Sequence, residues 1–344
     1  MKIAMLAPPW IKVPPSRYGG IEWVVHYLTN RLVERGHDVT LFATGGSVTE
    51  ANLASAFDSE MPDRIGHTMY DVQHAANCMR RADEFDIIHD HTSFSVVAYA
   101  SLISTPVVHT LHGPFKPDIC NFYRDFRDSV WYAAISDYQR SCCPELRYAG
   151  TVYNPIDING WPYLPSGAKE DYLLAFGRLC VDKGFHTAIE VARRTGSRLI
   201  IAGAVQPSNR DYYETVIKPQ VDGDQISFLG EVSVTEKWNL FSRARAFLFP
   251  IEWPEPFGLV MIEAMATGTP VIAFPEGSVP EVVEDGVTGF TVRTVNEMVA
   301  ALGRLDQLDS RIIRQRVQER FSVNKCADGY EHIYEKVLQG CVPA

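Results

Sequence analysis

Short apolar runs alternate with helical apolar patterns through the first half of the chain. The runs predict four strands, at residues 2–7, 38–42, 86–89 and 106–109. Between the first two runs, apolar residues recur at helical spacing: Ile21, Val24, Val25, Leu28 and Leu32. That spacing is typical of one face of an amphipathic helix. Strand, helix and strand joined by short turns predict right-handed parallel crossovers.

The same alternation starts again after a proline-containing stretch. Residues 154–157 and 161–167 hold three prolines, which favours a linker. Beyond the linker, apolar runs predict strands at residues 172–176, 199–202, 246–249 and 271–274. Helical patterns follow at Phe185, Ala188, Ile189 and Ala192, and across residues 259–266 and 323–338.

These two series predict an α/β protein with two Rossmann-like, doubly wound parallel-sheet domains. We place the N-terminal domain at residues 1–155 and the C-terminal domain at residues 156–322. The C-terminal helix, within residues 323–344, has Tyr330 and Tyr334 on its apolar face and is expected to pack on the N-terminal domain. Because doubly wound sheets bind ligands at the carboxyl ends of their strands, we expect the site in a central cleft that the two domains face.

The composition excludes several classes of protein. Of the 344 residues, 46% are apolar and 22% are charged, as in ordinary globular domains. The net charge of −10 argues against a nucleic-acid partner, since phosphate binding needs a basic surface. No apolar stretch is long enough for an integral membrane segment, and the first residues lack the apolar core of a secretion signal. Seven scattered cysteines without metal-binding spacing favour reduced thiols, so we expect a cytoplasmic protein.

Two glutamates flank the start of the helix predicted at residues 259–266. Glu255 precedes this helix and Glu263 lies in its second turn. Between them, the first-turn N–H groups of Gly258, Leu259 and Val260 form an anion site. Gly258 has no Cβ, so an anion can approach its backbone closely. A carboxylate, an anion site and a second carboxylate match a sugar, a diphosphate and a ribose, which together make a nucleotide sugar.

This block, EPFGLVMIE from Glu255 to Glu263, resembles the E-x7-E signature of retaining glycosyltransferases of family 4, which have the GT-B fold. The resemblance extends over nearly the whole chain, through residues 19–20, 177–179, 183–184, 228–230 and 286–290. It implies a nucleotide-sugar donor bound by the following residues: Gly19, Gly20, Arg178, Lys183, Gly230, Glu255, Phe257, Gly258, Leu259, Val260 and Glu263.

The resemblance also implies catalytic roles for four residues. Arg178 and Lys183 follow a predicted strand and are expected on the diphosphate, where two cations stabilise the departing nucleotide. Glu255 is expected to accept hydrogen bonds from sugar hydroxyls. Glu263, a binding residue rather than a catalytic one, is expected to accept from the ribose diol. His112 is expected to hydrogen-bond the donor sugar near the reacting carbon; on residue type alone, a buried structural histidine is the commoner case.

Two short patterns imitate metal sites. The triplet His89-Asp90-His91 lies in a predicted strand, where neighbouring side chains point to opposite faces, and no third ligand has a familiar spacing. Asp222-Gly223-Asp224 imitates a D-x-D metal motif, but its glycine and the strand predicted after it favour a surface turn. We therefore predict no metal site and no cofactor, with the UDP-sugar as a co-substrate.

The resemblance to family 4 implies a retaining glycosyltransferase that moves a hexose from a UDP-sugar to a saccharide or other hydroxyl acceptor. Uridine is chosen because it is the commonest base in the family, and glucose is the first choice of sugar. Without an obvious base, the leaving phosphate is expected to take the acceptor's proton, and no metal is required. A role in polysaccharide or glycoconjugate synthesis follows, and loose association with a membrane-bound assembly pathway stays open.

Other functions are also considered. The E-x7-E block counts against a nucleotide-sugar epimerase, and the length counts against a glycogen-type phosphorylase. Intact Arg178, Lys183, Glu255 and Glu263 count against a non-catalytic sugar-nucleotide-binding subunit. Neither GxGxxG nor GxxxxGK[ST] occurs, which counts against dinucleotide enzymes and P-loop kinases.

Overall fold

The computed structural model describes residues 1–16 and 19–340, which form two compact units. The N unit comprises Met1–Pro155 and the C-terminal segment from Val323, and the C unit is Ile156–Ser322. Each unit contains one sheet, and the paired strands of both sheets are parallel. The prediction of two Rossmann-like parallel-sheet domains is confirmed. Residues 341–344 of the predicted C-terminal segment lie outside the described residues.

Seven strands in the described part of the N unit form its sheet, in the order β3-β2-β1-β4-β5-β6-β7. They are β1 (Lys2–Leu6), β2 (Asp38–Phe42), β3 (Asn52–Ala54), β4 (Ile87–Asp90), β5 (Val107–Thr110), β6 (Trp131–Ala134) and β7 (Tyr148–Thr151). The helices between them are α1 (Gly20–Glu34), α2 (Thr68–Met79), α3 (Phe94–Tyr99), α4 (Pro117–Asp125) and α5 (Asp137–Ser141).

The C unit has a six-stranded sheet in the order β10-β9-β8-β11-β12-β13. Its strands are β8 (Tyr172–Phe176), β9 (Arg198–Ala202), β10 (Ile226–Phe228), β11 (Ala246–Phe249), β12 (Val271–Ala273) and β13 (Gly289–Thr291). Its helices are α6 (Phe185–Thr195), α7 (Arg210–Tyr212), α8 (Val234–Arg243), α9 (Leu259–Ala266), α10 (Val279–Val282), α11 (Val295–Leu302) and α12 (Ser310–Phe321).

The final helix, α13 (Val323–Leu338), packs within the N unit. Its predicted apolar face is buried: Tyr330, Ile333, Tyr334 and Val337. The Tyr334 hydroxyl lies 2.6 Å from Nδ1 of His89, and the Tyr330 hydroxyl lies 2.9 Å from Oγ1 of Thr110. The helix therefore holds two tyrosines against the ends of β4 and β5.

Several short elements have no counterpart in the sequence prediction. The strand β6, for example, is a run of four buried residues at Trp131–Ala134. Such a run shows no alternation, so periodicity does not distinguish it from part of a buried helix. In the described residues, no helix is both long and apolar enough to cross a membrane.

The strand orders define where a ligand can reach each sheet. In the N unit the chain leaves β1 toward β2 and later returns to β4 on the other side of β1. In the C unit β8 and β11 are neighbours in the same way. Ligands of such sheets bind outside the carboxyl ends of the strands at these reversals. A ligand site is therefore expected at the segments that follow β1, β4, β5, β8 and β11.

One buried carboxyl group makes the stability of the N unit depend on pH. Glu22 lies in the first turn of α1 and is only 5% exposed. Desolvation by burial raises the pKa of Glu22 from 4.5 to about 7, and a backbone hydrogen bond opposes part of that rise. Between these two values the folded protein keeps a proton that the unfolded chain has lost. The contribution of Glu22 to stability therefore falls as the pH rises from 4.5 to about 7.

We expect Glu22→Gln to stabilise the protein at about pH 8 by up to about 3 kcal/mol, because the variant no longer buries a charge. At about pH 4 the gain should vanish, since the wild-type carboxyl group is then protonated in both states. Urea unfolding at the two pH values measures the difference. Glu34→Gln, at an exposed position of the same helix, is the control. A gain of equal size at both pH values would contradict the assignment.

Candidate active site

Lys183 and Glu255 meet at the reversal point of the C unit. Lys183 follows β8 and Glu255 follows β11, and these strands are neighbours in the sheet. The Lys183 Nζ donates to Glu255 Oε2 at 2.5 Å. The two side chains are only 14% and 12% exposed. The structure thus joins two predicted site residues in a largely buried ion pair.

Trp253, which the sequence analysis did not select, completes this pair. Its Nε1–H donates to the same Oε2 of Glu255 at 3.0 Å. Lys183 Nζ also lies 5.3 Å from the ring centre of Phe249 and 5.5 Å from that of Trp253. Oε2 therefore has two donors, while Oε1 of Glu255 accepts no hydrogen bond from the described residues. That oxygen is free to accept one from a ligand.

A glycine brings the two segments together. Gly184 has φ +66°, and a Cβ at this position would lie 1.9 Å from the carbonyl oxygen of Pro250. Any other residue would push the segment after β8 away from the segment after β11. Gly184 therefore lets Lys183 reach Glu255.

Glu263 forms a second lysine pair on α9. Lys237 Nζ donates to Glu263 Oε1 at 2.6 Å, with side chains 22% and 13% exposed. Oε2 of Glu263 is buried and has no hydrogen-bond partner in the described residues. A buried carboxylate oxygen without a donor is costly, so this oxygen is suited to a hydroxyl group that arrives with a ligand.

Lys237 is a second residue that the sequence analysis missed. It lies on α8 four positions before the buried Phe241, so it occupies the apolar side of that helix. Its Nζ is 5.3 Å from the ring centre of Phe176 and 5.7 Å from that of Trp161. The sequence signal that could have identified Lys237 is its position as a single cation on the apolar face of a helix.

The start of α9 offers backbone donors between the two glutamates. Gly258 caps the helix with φ +77°. The N–H groups of Gly258, Leu259 and Val260 donate to no acceptor within the described ranges. Leu259 and Val260 are partly exposed, so a ligand can reach this end of the helix. Phe257, by contrast, is buried with its ring centre 5.8 Å from that of Phe321, and its side chain belongs to the core.

Two further predicted residues lie at the carboxyl edge of the same sheet. Arg178 follows β8, is exposed, and forms no ion pair or hydrogen bond with any residue that the structure describes. Gly230 follows β10, and its carbonyl oxygen accepts a hydrogen bond from Gly203 N–H at 2.8 Å. The structure therefore places Arg178 near the other site residues in topology but not in contact with them.

The predicted residues of the N unit follow β1 and β5. Gly20 begins α1 and Gly19 caps it, while residues 17 and 18 lie outside the described ranges. His112 is half-buried, and its Nε2 lies 2.8 Å from Nδ1 of His91. Burial, with a smaller contribution from His109, lowers the pKa of His112 to about 3. His112 is therefore neutral at physiological pH.

The patterns that imitate metal sites have structural roles. His89 lies between Tyr334 and Thr110, and Asp90 Oδ2 is 2.6 Å from His109 Nδ1. In the part of the chain that the structure describes, no group of three or more His, Cys, Asp or Glu side chains is arranged to hold a metal ion. Asp222 Oδ1 accepts hydrogen bonds from the N–H groups of Asp224 and Ile226, which lowers the pKa of Asp222 to about 2. The prediction of a turn at 222–224 is confirmed.

Two family models match this chain, one in each half. The model described as Glycosyltransferase Family 4 matches residues 18–148, and the model described as Glycosyl transferases group 1 matches residues 164–320. This chain is a GT4-like glycosyltransferase. Glycogen synthase of Mycobacterium tuberculosis is 28% identical to it over 404 aligned residues, covering 99% of this chain and 96% of that protein.

Solved structures show the fold of this glycosyltransferase to be GT-B. HepE of Anabaena, crystallised in complex with UDP and glucose, has a TM-score of 0.75 at 20% identity, with 99% of this chain and 100% of HepE covered. Sucrose-phosphate synthase of Thermosynechococcus elongatus has a TM-score of 0.78 at 17% identity, with the same coverage. The expected GT-B fold is confirmed.

Proposed function

We propose that this glycosyltransferase is a retaining hexosyltransferase that transfers glucose from UDP-glucose to a hydroxyl group of a saccharide or similar acceptor. One observation carries the proposal. Glu255 and Glu263 each accept a hydrogen bond from a lysine on one carboxylate oxygen, and the other oxygen has no donor among the described residues. In the sequence, the free N–H groups at the start of α9 lie between these two glutamates. The complex of HepE with UDP and glucose supports the choice of donor.

The ribose, the diphosphate and the sugar of the donor would each bind a different one of these groups. Oε2 of Glu263 accepts from the ribose hydroxyls. The N–H groups of Gly258, Leu259 and Val260 bind the diphosphate, where the helix terminus favours negative charge. Oε1 of Glu255 accepts from a hydroxyl of the sugar.

In the transfer step the bond between C1 of the sugar and the diphosphate oxygen breaks. The acceptor oxygen forms its bond to C1 on the same face, and the acceptor proton moves to the departing phosphate oxygen. Arg178 and Lys183 stabilise the negative charge that develops on that phosphate. With these cations and the helix N–H groups on the diphosphate, the step needs no divalent ion.

The chemistry of His112 favours this route over an inverting one. An inverting transferase needs a general base opposite the leaving group. A histidine whose pKa is about 3 is a weak base at neutral pH. His112 is therefore assigned to a sugar contact, and the leaving phosphate acts as the base. The product then keeps the α configuration of the donor.

The test is a transfer assay with UDP-glucose and a panel of saccharide acceptors, run with and without EDTA. We expect UDP release that depends on an acceptor, an α-linked product by proton NMR, and unchanged activity in EDTA. Parallel assays with UDP-galactose, ADP-glucose and GDP-mannose test the donor. A β-linked product or complete loss of activity in EDTA would contradict the mechanism, and a preference for another donor would contradict the choice of glucose or uridine.

A further inference from the structure

His91 is a fully buried neighbour of His112. It follows β4, and its Nδ1 lies 2.8 Å from Nε2 of His112, with ring centres 5.1 Å apart. The ring centre of His91 is also 4.1 Å from that of His89 and 6.2 Å from that of Tyr330. This packing holds the ring of His91 in place, so His91 in turn holds the ring of His112.

The hydrogen bond between the two histidines has a defined direction. Burial lowers the pKa of both rings, so each is neutral and carries one N–H. If His112 donated from Nε2, the proton of His91 would sit on its own Nε2. That atom is buried and has no partner among the described residues. A buried N–H without an acceptor is rarer than a buried acceptor without a donor. The donor is therefore Nδ1–H of His91.

This direction determines what His112 presents to a ligand. Its Nε2 accepts from His91, so its proton lies on Nδ1. That nitrogen makes no hydrogen bond within the described ranges, and the residue is half-buried rather than fully enclosed. We propose that His91 is a positioning residue, which fixes the ring orientation and the tautomer of His112 so that Nδ1–H donates to a hydroxyl oxygen of the donor sugar. The sugar contact rests on the proposed function, whereas the tautomer does not.

The tautomer is tested on the wild-type protein. Long-range proton–nitrogen NMR of protein labelled with ¹⁵N-histidine distinguishes a ring nitrogen that carries a proton from one that does not. His112→Gln identifies the signals of His112. We expect the proton on Nδ1 of His112 and on Nδ1 of His91. A proton on Nε2 of His112 would overturn the proposal. This measurement needs no catalytic activity and no variant of His91.

The positioning role is tested with three variants of His91. Asparagine places its amide nitrogen where Nδ1 of histidine lies, whereas glutamine places its amide near Nε2, and leucine has no polar atom. We expect His91→Asn to retain most of the transfer rate. His91→Gln and His91→Leu should lose about ten- to a hundredfold in kcat, the size of loss known for partners that orient metal-binding histidines.

The affinity for UDP controls for damage to the fold. Glu263 and the start of α9, the UDP contacts of the proposed function, lie in the C unit, so calorimetry should give the same UDP affinity for the three variants and wild type. Equal rates for His91→Asn and His91→Gln, or a wild-type rate for His91→Leu, would overturn the positioning role. A wild-type protein that transfers no sugar from any donor would instead contradict the proposed function, and the NMR result would still decide the tautomer.

Discussion

Replacing Lys183 with alanine should lower kcat for sugar transfer by about a hundred- to a thousandfold. The charge on the leaving phosphate grows in the transition state, so a cation aimed at it stabilises that state more than the bound donor. Lys183 is only 14% exposed and lies over two aromatic rings, where water screens its charge poorly. The KM for the donor should therefore rise much less than kcat falls.

The pairing of Lys183 with Glu255 requires a matched control. Alanine at position 183 leaves Glu255 without its cation, so part of the effect could come from a displaced carboxylate. Glu255→Gln and the double variant Lys183→Ala/Glu255→Gln separate the two contributions in a double-mutant cycle. Lys218→Ala removes an exposed lysine that pairs with Glu214 and should change neither constant. Initial rates of UDP release supply the constants. An effect of Lys183→Ala confined to KM would mean that this lysine only binds the ground state.

Glu263→Ala should weaken UDP binding by about 1.5 to 3 kcal/mol, the usual contribution of hydrogen bonds to a charged group. The buried Oε2, which has no partner in the described residues, is the atom proposed to accept from the ribose hydroxyls. Isothermal titration calorimetry with UDP measures the loss directly. Unchanged affinity would contradict the assignment.

Lys237 allows a sharper version of the same test. Lys237→Met leaves the carboxylate in place but removes the cation that holds Oε1 at 2.6 Å. We expect it to weaken UDP binding as well, because the orientation of Glu263 is lost. In the double variant Glu263→Gln/Lys237→Met, the loss should be smaller than the sum of the two single losses, since both act through one contact. Strictly additive losses would show that Lys237 acts independently of Glu263.

Much of the fold could be predicted from local sequence. Strands β8 and β11 and helices α9 and α13 have the predicted bounds. Strands buried on both faces are continuous apolar runs, and α13 repeats its apolar residues at helical spacing. The strand β6 was missed because a run of four buried apolar residues can equally belong to a buried helix. The edge strand β3 was missed because its three residues are largely exposed and form no apolar run. The two glutamates of the site could also be identified from local sequence, because both lie close to the start of one helix.

The residues that pair with those glutamates, and the partner of His112, could not be predicted from neighbouring sequence. Lys183 is 72 positions from Glu255, Lys237 is 26 from Glu263, and His91 is 21 from His112. Each pair meets because two chain segments, distant in sequence, are brought side by side when the sheets form, as β8 is beside β11 and β4 beside β5. The sequence by itself determined the elements and the chemical types in the site. Only the tertiary structure decided which oxygen each lysine holds, because that depends on strand order and close packing rather than on spacing along the chain.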